Sequence, residues 1–166
     1  MIRALHAMKV SDLQSRFINE LQTLLPEWEY VKSQRHFKKI DNDKHYYFHI
    51  SCINHVNDFD AVGDISIEFK DGKNRICIIG AELGNIEGIG QNRFPVSNDV
   101  EARASAINLH QCFEKCGLEF IQKYSDPVLV VDTLKRGGMD AQLISPFLEQ
   151  HDDQIIRMSR HYGINM

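Results

Sequence analysis

The sequence predicts an α+β fold: an N-terminal helix, a four-stranded antiparallel meander sheet, and C-terminal helices packed on one sheet face. Three observations carry this. Apolar residues recur at helical spacing over 13–25, the period switches to alternation over 45–53 and 61–69, and helical spacing returns after 98. At 166 residues, with 43% hydrophobic and 25% charged side chains, the chain fits one domain spanning 1–166, large enough to bury a core without disulfides.

The first helix should be opened by Ser11-Asp12-Leu13-Gln14, read as a capping box, and closed by Pro26. Leu13, Phe17, Ile18, Leu21, Leu24 and Leu25 form its apolar stripe. Tyr30–Ile40 reads as a first, weakly alternating strand whose lysines and arginine suit a sheet edge. After the turn at Asp41-Asn42-Asp43-Lys44, residues 45–53 alternate clearly. Tyr46, Phe48, Ile50 and Cys52 point one way, and His45, Tyr47, His49 and Ser51 the other. In the third strand Ile65, Ile67 and Phe69 oppose Asp64, Ser66 and Glu68, and Asp71-Gly72 marks a hairpin turn. The fourth, Arg75–Leu83, is apolar on both sides and reads as central or doubly covered.

Gly84–Pro95, with three glycines and no period, reads as a long loop. A helix is expected from Asn98 to about Tyr124, capped by Ser97 or Asn98, and another from Ser125-Asp126-Pro127 to Gly137-Gly138. Met139–Met166 should hold one or two more helices broken near Pro146, then a short disordered end. The first and long helices should cover the apolar sheet face and leave the other face open to water.

Several function classes lose support at this level. The net charge of −4 offers no global basic field for nucleic acid, and no RNA-binding aromatic motif is present. Residues 28–53 carry five bases against three acids, and 54–98 seven acids against four bases, so a partner would meet a local strip of either sign. No apolar run approaches the ~20 residues of a membrane helix or suits a signal peptide, which points to the cytoplasm. Met1–Ala7 has no pattern of its own, which leaves Met8 as an alternative start. Cys52, Cys77, Cys112 and Cys116 form no CxxC pair and read as reduced packing residues.

Metal and cofactor sites fare no better. Histidines two apart on a strand stand about 7 Å apart, and four apart about 13 Å, so His45 and His49 cannot share one zinc ion. Asp41-Asn42-Asp43 lacks the glycine and terminal glutamate of a calcium loop. Gly84–Gly90 lacks the order and the following Lys-Ser/Thr of a phosphate loop. No nucleophile motif and no cofactor motif is present.

The most distinctive feature is the outward sheet face. Meander pairing would set His45, Tyr47 and His49 beside Asp64, Ser66 and Glu68, with Lys32, Gln34, His36 and Lys38 alongside. Such a face is a binding surface, an acid–base site or a plain solvated sheet. Glu87 and its neighbours in the 84–95 loop make a second candidate. Six acids, Asp58, Asp60, Asp64, Glu68, Glu82 and Glu87, are expected to form an acidic surface able to occupy a basic site on a partner.

The layout resembles the small cytoplasmic immunity proteins of bacterial toxin–immunity systems. The matching residues are Phe17-Ile18-Asn19-Glu20-Leu21 before Trp28, HFKK at 36–39, YYFHISC at 46–52, ISIEF at 65–69, and Phe120–Pro127. The resemblance implies a non-enzymatic protein that binds and neutralises a cognate toxin, with no catalytic residues to carry over. The alternatives are a small-ligand binder or enzyme using the His/Tyr/Asp/Glu face, and a homodimer paired through sheet edges or helices.

Overall fold

The computed structural model describes residues 8–166; Met1–Ala7, the segment without a pattern of its own, lies outside them. Helix α1 (Val10–Leu24) is followed by strands β1 (Glu29–Val31), β2 (His36–Asp41), β3 (Lys44–Asn54), β4 (Phe59–Asp71) and β5 (Asn74–Glu82). Then come helix α2 (Leu83–Glu87), strand β6 (Phe94–Val96), and helices α3 (Asp99–Cys112), α4 (Leu118–Tyr124), α5 (Pro127–Arg136), α6 (Gly138–Ile144) and α7 (His151–Tyr162). The sheet has six strands: β1 to β5 form an antiparallel meander and β6 pairs with the start of β4. The α+β plan holds, with two strands more than the sequence suggested.

Those extra strands have physical causes. Tyr30 and Phe37 are seven residues apart, so one continuous strand would send them to opposite faces. The chain instead turns at Lys32–Gln34, with Arg35 at φ 52°, and folds back so that Tyr30 pairs with Phe37, ring centroids 4.9 Å apart. Within the 84–95 segment, α2 and β6 are both built on contacts with the sheet rather than on a local period.

The core lies between the inward sheet face and the helices. Phe37, Tyr46, Phe48, Ile50, Ile65, Ile67, Phe69, Cys77 and Ile79 are buried on that face, opposite Leu13, Phe17 and Leu21 of α1 and Leu109 of α3. A β-bulge at Phe69/Lys70 pairs Phe69 with Cys77 but Lys70 with Arg75. The extra residue, Ile76, shifts the alternation of β5 and turns Cys77 and Ile79 inward. The expected long helix is present but passes through a π-helical segment at Phe113–Gly117. Phe113, Cys116, Phe120 and Tyr124, three and four residues apart, are all buried along it.

Three local expectations are corrected. The capping box is absent: α1 starts at Val10 with no side-chain cap at Lys9, because Met8 and Val10 pack against the core and extend the helix backwards. Gln14 donates instead to Asn54 Oδ1 at 2.7 Å. Strand β5 is not central but an edge, with α6 and α7 packed against it. Gln154 donates to the Ile78 carbonyl and Arg157 to that of Arg75, both at 3.4 Å. The C-terminal end is anchored rather than disordered. The Ile164 side chain packs against the core, its N–H bonds the Ser159 carbonyl at 2.9 Å, and Lys135 holds the Asn165 carbonyl at 3.0 Å. No helix among the described residues is long and apolar enough to cross a membrane.

A Cβ built on Gly63 of β4 would stand 2.7 Å from the Phe48 ring and 3.0 Å from Leu109. Gly63→Ala is therefore expected to cost about 1–3 kcal/mol in urea unfolding. Phe48→Leu in the same chain should recover part of that loss, since the two changes share one space.

Candidate functional site

Cross-strand register builds the outward face from rows that run through four strands, β2 to β5. One row is Ile40, His45, Glu68 and Ile78; the next is Lys38, Tyr47, Ser66 and Gly80; the third is His36, His49, Asp64 and Glu82. His45, Tyr47, His49, Asp64 and Glu68 thus come together as expected, and His36 and Lys38 join them. Lys32 and Gln34 do not, because they lie in the turn between β1 and β2.

Glu68 is the centre of this face. It is only 5% exposed although its strand position points outward. Tyr47 Oη donates to its Oε1 at 2.8 Å, Arg75 Nε donates to its Oε2 at 2.6 Å, and Lys70 Nζ lies 3.9 Å from Oε1. Burial works against the charged carboxylate. The hydrogen bonds from Arg75 and Tyr47 and the charges of Arg75 and Lys70 outweigh it, and the carboxyl is held below its ordinary range. Burial and the bond to Glu68 push Tyr47 up to about 12, so its hydroxyl stays a neutral donor.

The surrounding groups complete a polar lattice. His45 Nδ1 is 3.4 Å from Tyr47 Oη, His49 Nδ1 is 3.7 Å from Asp64 Oδ2 and 3.4 Å from Ser51 Oγ, and the His36 and Tyr47 rings lie 4.6 Å apart. Burial, then Lys38 and Lys70, lowers the pKa of His45; burial, then His49 and Lys38, lowers that of His36. Both imidazoles are therefore neutral near pH 7. The arrangement presents hydrogen-bonding groups held in place by strands, with its two buried carboxylates, Glu68 and Glu82, already committed to internal partners. A cleft of ≈ 860 Å³ beside β5 takes in Asp64 but none of His45, Tyr47, His49 or Glu68.

Glu87 stands apart from this face. It lies in α2, where its Oε1 is 3.6 Å from Cys116 Sγ. Burial, then Glu87, pushes the Cys116 thiol up to about 12, consistent with a packing residue. The expected acidic surface is also thinner than its six carboxylates suggested, because Glu68 and Glu82 are buried. Glu82 ends β5 and receives three backbone amides. Its Oε1 accepts from Gly84 at 3.0 Å and Asn92 at 3.2 Å, and its Oε2 from Asn85 at 3.1 Å. It is the N-cap of α2 and the clamp on the 84–92 segment.

Sequence reasoning missed Arg75 and Lys70. Arg75 reaches Glu68 because of the bulge at Phe69/Lys70, and nothing in the alternation of β5 announces a bulge. Among the described residues no group of three His, Cys, Asp or Glu side chains converges as a metal site. Comparison with family models, curated proteins and solved structures finds no match to this chain.

Two expectations follow. Glu68 has a lowered pKa in the folded state, so its stabilisation is present above the ordinary carboxylate pKa, about 4.3, and is lost as pH falls through the folded value. Urea midpoints measured from pH 7 down to pH 2 should therefore fall less steeply on the acid side for Glu68→Gln than for the parent. Glu82→Ala should cost about 1–3 kcal/mol, with amide exchange rising first at Gly84, Asn85 and Asn92.

Proposed function

We propose that this chain is a non-enzymatic binding protein, an immunity protein that neutralises a cognate bacterial toxin by docking its outward sheet face on it. The observation that carries the reading is the patch of half-exposed His36, Lys38, His45, Tyr47 and His49 side chains beside Asp64, placed on strands β2 and β3, with Tyr47 fixed by the buried Glu68. Groups fixed in this way lose little conformational freedom on binding, which favours a protein interface. Tyrosine supplies the amphipathic anchor such interfaces favour, and the imidazoles of His36 and His45, their pKa lowered by burial, add donors and acceptors without a large desolvation cost. Glu68 fits a supporting role better than that of a free general base, because Arg75 and Tyr47 occupy both its oxygens. The immunity reading adds the resemblance carried by the helix–meander–helix layout.

Co-expression with the product of an adjacent reading frame tests this. The expected result is restored growth of cells producing that toxin and co-elution of the two proteins. Lys38→Ala and His49→Ala, whose positions are partly exposed, should each weaken the complex by about 1–2 kcal/mol without changing the urea midpoint. Failure to bind any neighbouring gene product would sink the proposal.

A further inference from the structure

The hydrogen-bond parity of the sheet leaves part of β5 unpaired. Ile78 accepts Gln154 from outside the sheet, so the amide groups of Ile78, Gly80 and Glu82 point away from β4. Two bonds elsewhere agree with this phase. Lys70 N–H reaches the Asp43 carbonyl and Ile50 N–H reaches the Arg35 carbonyl, which fixes the even-numbered residues of β4 toward β3 and those of β3 toward β2. The helices cover β5 only in part. α7 occupies the carbonyls of Arg75 and Ile78, and no described residue pairs with either amide group of Gly80.

Gly80 opens onto the ≈ 860 Å³ cleft between β5 and the segment from Met139 to Gln150. A Cβ at Gly80 would stand 2.5 Å from the Ile65 carbonyl oxygen, so the sheet itself requires glycine here and the edge carries no side chain. The opposite wall is apolar and open to solvent, with Met139 87% and Phe147 57% exposed and Ile86 and Leu143 half-buried between them. An open strand edge beside an exposed apolar wall is what strand addition by an extended peptide uses. The charge of the cleft is one-sided: Asp64, Glu82 and Asp140 line it, and no lysine, arginine or histidine does. Asp64 has His49 at 3.7 Å and Glu82 holds its three amides, whereas exposed Asp140 has no ion-pair partner among the described residues.

We infer that this cleft binds an extended segment of a protein partner that carries alternating apolar and basic side chains, paired as an added strand on Gly80 of β5. Its backbone takes up the N–H and C=O of Gly80, its apolar side chains rest on Phe147 and Leu143, and its basic side chains face Asp140 and Asp64. The inference does not depend on the outward face around Tyr47.

Fluorescence anisotropy with a labelled eight-residue peptide alternating valine and lysine tests it. The expected result is saturable binding with a dissociation constant on the order of micromolar. A valine–glutamate peptide should bind at least about tenfold more weakly, and so should a valine–lysine peptide with alternate backbone nitrogens methylated. Phe147→Ala and Asp140→Lys change exposed positions and should each weaken binding by about tenfold with an unchanged circular dichroism spectrum, while Lys38→Ala, at a position that does not line the cleft, leaves it unaffected. Equal binding of the methylated peptide would overturn strand addition, as would no binding of the parent peptide. Concentration-dependent dimerisation that protects the Gly80 amide would assign the edge to a second copy and overturn the proposal too.

Discussion

Phe48 of β3, Leu83 of α2 and Leu109 of α3 converge on Gly63, where a hydrogen is all the space allows; a methyl group there would stand within 2.7–3.1 Å of all three. The whole arrangement depends on this close approach. It brings α3 down onto the sheet and places Leu83 at the exit of β5, from which the chain leaves for the helices. Phe113 continues the same contact, its ring stacked on Phe48 at 4.6 Å and meeting Trp28 edge-on at 5.4 Å. Phe113 opens the π-helical segment Phe113–Gly117, and Phe120, about two helical turns further on, is buried as well.

Two buried carboxylates organise the polar parts of the molecule in different ways. Glu82 neutralises backbone donors: three amides that would otherwise be orphaned at a strand-to-helix turn converge on it. Glu68 neutralises side chains, joining β3, β4 and β5 through Tyr47, Lys70 and Arg75. An ion pair this buried is weak evidence for stability as such. Its plainer consequence is geometric: it fixes the Tyr47 hydroxyl and draws the cationic side chains of Arg75 and Lys70 onto the outward face.

The two surfaces proposed for binding differ in how they would recognise a partner. The outward face offers side chains fixed on strands, with imidazole and phenol groups as anchors. The cleft beside β5 offers main chain, an apolar wall and a negative rim. They meet along Asp64 and Glu82, so one partner large enough to cover the face would also approach the edge.

Much of the fold was legible in the residues. Alternation along 45–53 and 65–69 set which side chains share a face, and the Asp71-Gly72 turn set the antiparallel order, so five of the six candidate site residues met as expected. These signals are local, because periods of two and of 3.6 follow from backbone geometry alone. Tertiary structure decided what depends on contacts between distant residues. It split 30–40 into a hairpin, gave β5 its bulge, formed α2 and β6 in a segment with no period, and anchored the C-terminal end. It also decided which acids are surface charges. Asp64 and Glu68 occupy equivalent outward positions two rows apart on β4, yet only Glu68 is buried, because the bulge brings Arg75 back across the sheet to meet it.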